Sequence, residues 1–104
     1  MADESTAVEA HSPVGLTEEA VLRVSGTSAV QDLALAVVHA VAEHNKVVLR
    51  AVGAGAVNQA IKAIAIARGM TAAKGVDLLV RPGFTDIVIK GEGYSAITLL
   101  VFAT

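Results

Sequence analysis

The stretch from Gly53 to Met70 constrains this chain more than any other. A run of strand-forming residues, Lys46 to Val52, leads straight into Gly53-Ala54-Gly55, and a segment rich in Ala and Ile follows. Two glycines after a strand make a tight turn, and the Ala- and Ile-rich segment reads as a helix from Gly55 that stops at Gly69. Only Asn58, Gln59, Lys62 and Arg68 interrupt its apolar surface. A helix that is apolar all round needs burial on more than one side. One sheet in a chain of 104 residues covers only one side, so a second subunit is expected against Val57, Ile61, Ile64 and Ile66.

The remaining chain supplies the sheet. Ala20, Leu22 and Val24 alternate with Val21, Arg23 and Ser25, a period of two that marks a first strand from Glu19. Gly26-Thr27-Ser28 then leads into a helix that reaches about His44. Ser28 and Gln31 have the spacing of a capping box. Val30, Leu33, Ala34, Val37, Ala40 and Val41 form its apolar stripe. After the Ala-rich helix, Val76 to Arg81 reads as a third strand closed by Pro82-Gly83. Asp86–Lys90 and Ala96–Phe102 read as a hairpin around Gly91-Glu92-Gly93. The fold class is therefore α/β in the sense of an α+β sandwich, β-α-β-α-β-β, with a mixed sheet and two helices on one face. Strand–helix–strand crossovers are right-handed, which leaves the other sheet face partly open. If register allows it, Arg23, Arg50 and Arg81 form a small basic surface there.

Residues 1–18 carry no periodicity, are small and acidic, and contain Pro13 and Gly15. They read as a disordered tail ahead of one domain over 19–104. Charge is uneven. The net charge is −2, yet residues 46–81 hold Lys46, Arg50, Lys62, Arg68, Lys74 and Arg81 against Asp77 alone. With no cysteine, thiolate metal sites and cysteine nucleophiles are excluded. Three aromatics, Phe84, Tyr94 and Phe102, are too few for a base-stacking platform. No signal peptide or apolar run of membrane-spanning length appears, so a soluble cytoplasmic protein without a membrane partner is expected.

Chemistry, if present, belongs at the carboxyl ends of the parallel strands. Ser25-Gly26-Thr27-Ser28 and Gly53-Ala54-Gly55-Ala56-Val57-Asn58 meet there, and each opens a helix. Unpaired N–H groups and a partial positive charge at helix starts favour anions. Ser25, Thr27, Ser28, Asn58, Gln59 and Lys62 add side-chain donors. Spacing alone leaves two readings open, a backbone-phosphate site or simple helix caps with a tight turn. A dinucleotide fingerprint is rejected: the glycines follow the second strand, and Asp77 starts a strand instead of ending one. His39 and His44 are five apart on one helix, a poor spacing for two ligands. No triad or carboxylate pair is in sight, so no enzyme, metal or cofactor is expected.

Gly53-Ala54-Gly55-Ala56-Val57-Asn58-Gln59-Ala60-Ile61-Lys62 through Gly69 closely resembles the stage V sporulation protein S family. Leu22 to Gly26, Gly75 to Leu79, Phe84 to Ile87, Gly91-Glu92 and Ala96-Ile97 agree with it, so the resemblance covers about residues 20–103. The family is linked to spore development and septation and is similar to Alba-type nucleic-acid-binding proteins. That similarity implies a dimer that meets DNA or RNA through the turn after strand one, the turn before helix two and a hairpin wing. The matching positions are Ser25 to Ser28, Gly53 to Gln59, and Arg81 to Lys90. The paired lysines typical of the first Alba turn are replaced by Gly26-Thr27-Ser28, and the wing is nearly neutral. Weak, salt-dependent binding follows from that, because affinity scales with the phosphates neutralised. A competing reading is a protein–protein adaptor or self-assembling developmental factor.

Overall fold

The computed structural model describes residues 8–11 and 19–104. Five strands form one sheet in the order β1-β2-β3-β5-β4. They are β1 (Val8–His11), β2 (Glu19–Val24), β3 (Lys46–Ala51), β4 (Leu78–Ile89) and β5 (Glu92–Ala103), with helices α1 (Val30–His44) and α2 (Ala54–Ala72). β2 and β3 are parallel, and every other pairing is antiparallel. The expected β-α-β-α-β-β order and mixed sheet are present. An added edge strand, β1, falls inside the segment read as a disordered tail, and it pairs with β2 from Val8↔Leu22 to His11↔Glu19. Residues 1–7 and 12–18 of that segment lie outside the described residues.

Period-two alternation sets the two faces of the sheet. Leu22, Leu49 and Leu99 stand in one row by register and are buried under the helices. Leu33, Ala34, Val37, Ala40 and Val41 of α1 close over them, the stripe that the 3.6-residue spacing marks. α2 contributes Ala56, Ala60, Ala63, Ile64 and Ala67. Its small side chains let the helix lie close to β2 and β3. Among the described residues, no helix is long and apolar enough to cross a membrane.

Several local expectations are corrected. Ser28 does not cap α1: Ala29 is the N-cap residue and makes no side-chain cap bond, while the Ser28 Oγ accepts the Ser25 N–H at 2.9 Å. Ser28 lies one residue too early for the capping box and is consumed in closing the turn. α2 runs through Gly69 to Ala72. Its stop is Gly75, at φ 79°. The Gly75 N–H donates to the Ala72 carbonyl and the Val76 N–H to the Thr71 carbonyl, the paired bonds of a Schellman ending. β4 does not break at Pro82-Gly83; it pairs continuously with β5. Proline is tolerated there because β4 is an edge strand, with one row of backbone groups outside the ladder. The hairpin turn is the two-residue Lys90-Gly91, both at positive φ as a primed turn requires.

The partner-facing surface expected on α2 is also revised. Ile64 is 5% exposed and belongs to the core of the single chain. Val57 and Ile66 pack partly against that core. Only Ile61, 47% exposed, stays on the outer flank. The Ala-rich surface misleads because alanine is equally at home in a close-packed contact and on an exposed helix side.

Gly53 sits at φ 93° and ψ 157°, a region essentially closed to side-chain-bearing residues. Gly53→Ala is therefore expected to destabilise the fold by about 1–3 kcal/mol. A urea midpoint equal to that of the parent would contradict this.

Candidate nucleic-acid interface

Because β2 and β3 are parallel, both ends that lead into helices lie on one edge of the sheet. The two turns there touch. A Cβ placed on Gly55 would lie 3.5 Å from the Gly26 Cα, and one on Gly26 would lie 3.8 Å from the Gly55 backbone. Gln59 binds them together, its Nε2 donating to the Ser28 carbonyl at 2.9 Å. A Cβ at either glycine would meet the other turn at ordinary van der Waals distance, so the two turns lie side by side without being wedged together.

The first turn is largely self-satisfied. The Ser28 N–H donates to the Ser25 carbonyl at 3.1 Å, and the Thr27 N–H donates to the Ser25 Oγ at 3.2 Å. The Ser25 and Thr27 hydroxyls lie 3.1 Å apart. Ser28 is buried. Of the expected donors, Ser28 and Gln59 therefore build the joint between the turns. Gly26, Thr27, Gly53, Gly55, Asn58 and Lys62 are exposed at its rim. The first N–H groups of α2 lie at that rim, where no preceding helical turn accepts them.

The open sheet face supplies the charge. Arg23 and Arg50 are register partners across β2 and β3 and lie on the face away from the helices. Neighbouring strands are about 4.8 Å apart, so two guanidinium-bearing side chains stand together. Like charges placed in register raise the positive potential on this part of the open face. Arg81 shares this face, in the row of Val48 and Leu100, with its Cζ 6.0 Å from the centre of the Phe102 ring. The register thus meets the condition under which the three arginines form one surface. Arg68 does not contribute; its Nε lies 2.9 Å from Asp77 Oδ1.

The hairpin completes the site. Phe84 and Ile97 are level with Ala51, so residues 85–96 extend beyond the end of β3, past the same edge as the two turns. This wing bends over the open face and encloses a cleft of about 530 Å³. Arg23, Arg50, Ser25 and Gly26 form its sheet side, and Ile87, Val88 and Ile89 its wing side. Among the described residues, no acidic side chain lines it. Lys90 is at the wing tip, beside Ile89, and Arg81 lies further down the sheet. Among the described residues, no cluster of three or more His, Asp or Glu side chains could hold a metal ion.

Arg23 and Arg50 are the cleft residues that the sequence reading placed on a basic surface only if register allowed it. Alternation placed each on the open face, but only the β2–β3 register sets them side by side.

A family model described as Stage V sporulation protein S (SpoVS) matches residues 20–104. The match begins within β2 and runs to the last residue, taking in both turns, both helices and the wing.

Proposed function

This chain belongs to the stage V sporulation protein S family, and we propose that it is a small non-enzymatic regulator that binds the phosphate backbone of DNA or RNA. The observation that carries this reading is the Arg23–Arg50 register pair lining the cleft beside two helix N-termini. One phosphate lies against the two guanidinium groups, which suit its oxygens in shape and charge. The exposed rim of α2, with Asn58 and Lys62, takes the next. Lys90 and Arg81 add weaker, outer contacts. Aliphatic wing residues cover the sugar edge without reading bases, because nothing in the cleft offers an aromatic stacking surface. The protein acts in the cytoplasm as a homodimer, joined through the Ile61 flank of α2, and needs no cofactor.

A titration of labelled duplex DNA and of RNA at two salt concentrations tests this. With about three phosphate contacts, affinity should fall by roughly 40-fold between about 50 and 200 mM salt. Absence of binding to either nucleic acid at the lower salt overturns the proposal.

A second reading, a protein–protein adaptor or self-assembling developmental factor, is favoured by the outer side of the wing. Phe84 is 77% exposed, and Val88, which also borders the cleft, is 74% exposed, with Asp86 between them in sequence. Such side chains gain more from an apolar partner than from a phosphate backbone. In that reading the chain sediments as a dimer or larger at micromolar concentration and binds no nucleic acid.

A further inference from the structure

A second, half-open cleft of about 270 Å³ lies at the opposite edge of the sheet from the two turns. α1 starts beside the carboxyl end of β2 and ends at His44, just before β3 begins, so its last turn sits at that far edge. The ends of α2 and β5 meet it there, and the Ala103 N–H donates to the Asn45 carbonyl at 3.1 Å. Val38, Val41, Val76 and Ala103 form aliphatic walls, and Asn45, Thr71 and Lys74 bring polar side chains to them.

Those polar side chains have capacity to spare. Among the described residues, the Lys74 ammonium pairs with no carboxylate, and no acidic side chain lines the cleft. Among the same residues the Asn45 side-chain amide makes no hydrogen bond; only its backbone is engaged. Thr71 is buried, and its hydroxyl donates to the Arg68 carbonyl at 3.2 Å, which leaves the oxygen lone pairs available. Helix ends disfavour anions through their unpaired carbonyls. Here the Val41 carbonyl accepts the Asn45 N–H, the Ala72 carbonyl accepts the Gly75 N–H, and the Thr71 carbonyl accepts those of Lys74 and Val76. With those acceptors occupied, Lys74 sets the sign of the cleft.

We propose that this cleft binds a small amphiphile with an aliphatic body and a carboxylate head. An apolar cavity of about 150 Å³ holds a benzene-sized molecule, so this one accommodates a short alkyl chain together with its head group. The chain lies against Val38, Val41 and Val76, and the carboxylate meets the donors of Lys74 and Asn45. The site shares no residue with the Arg23–Arg50 cleft and does not depend on the nucleic-acid reading.

The test is a titration of the full chain with hexanoate, followed in nitrogen-15 amide spectra, with hexanol and hexylamine run in parallel. Hexanoate should give saturable shifts confined to the amides around Ala42, Asn45, Val76 and Ala103, at about millimolar concentration for so small a ligand. Lys74→Gln should weaken hexanoate about two- to fivefold, the effect of losing one exposed charge pair, and leave hexanol unchanged. Ala42 is exposed and lines the cleft, so Ala42→Phe fills the space without entering the core and should abolish the shifts. Absence of saturable shifts, or shifts that persist in Ala42→Phe, overturns the proposal. Equal affinities for hexanoate and hexylamine overturn the assignment of a carboxylate head. Shifts of the same amides with protein concentration alone would place a second copy of the chain in the cleft and overturn the proposal as well.

Discussion

Arg23→Ala with Arg50→Ala is expected to weaken binding to duplex DNA and RNA by about a hundredfold at low salt. Each substitution removes a hydrogen-bonded contact to a charged group, worth about 1.5–3 kcal/mol, and so about tenfold or more per arginine. The dependence on salt should change with it. Each phosphate contact adds about 0.9 to the slope of log affinity against log salt, so the double variant, which loses the one phosphate shared by the two arginines, should lose about one unit of slope. The loss should be similar for all sequences, because the cleft presents guanidinium groups and aliphatic side chains and no base-reading surface. Both arginines are half-buried on the open face, outside the layer of Leu22, Leu49 and Leu99 that holds the fold together. The variant should therefore keep its circular dichroism spectrum. An unchanged affinity and slope in a folded double variant would remove the cleft from the interface and shift attention to the turn joint alone.

Ile64→Asp should have the largest effect on stability. Ile64 is nearly fully buried where α2 faces the sheet, in the same cluster as Ala60, Ala63 and Ala67. The substitution removes an aliphatic side chain from that cluster, a loss of about 2–5 kcal/mol for comparable truncations. It also places a carboxyl group where no polar partner is within the cluster, which adds a further desolvation cost of about 1–3 kcal/mol. A domain of this size has only about 5–15 kcal/mol of stability to lose. The variant should be largely unfolded at 25 °C, seen as loss of the helical signal and of a cooperative urea transition. A folded variant with the parental urea midpoint would mean that α2 is not seated on the sheet as described. Because Ile64 is interior to one chain, this outcome does not report on oligomeric state; the exposed Ile61 is the position that would.

Reading the sequence located most of the architecture. The alternation at Ala20 to Ser25 and the stripe from Val30 to Val41 each have one dominant period, and both elements formed where that period placed them. Boundaries were less legible where two residues could do the same job. Gly69 reads as the helix stop, yet Gly75 has the backbone conformation of one, because the chain must turn back there into β4. Pro82-Gly83 reads as a break, yet the edge position of β4 leaves room for a proline that an interior strand would not tolerate. Ser28 reads as a cap but is drawn into the turn by the Ser25 N–H. On α2, alanine gave no periodic signal, so the buried and exposed sides could not be told apart until the sheet was beneath it.

The joint between Gly26 and Gly55 has a different status. Two small, glycine-containing turns after successive parallel strands had to share one edge, and the right-handed crossover fixes that without coordinates. How close they come was decided by packing, with Gln59 reaching back to the Ser28 carbonyl and the turns near enough for an added Cβ to touch across. The charge of the site was decided by register alone. Alternation tells which face Arg23 and Arg50 share with their neighbours in sequence, but not which residue of β3 stands beside Arg23. A shift of one residue would send one of the two arginines to the opposite face. The sequence by itself determined the order of elements from β2 onward, the shared edge and the family. Only the tertiary structure decided that two arginines stand together there under the hairpin wing, because strand register and the bend of β4–β5 are set by the burial of the whole sheet and not by any local run of residues.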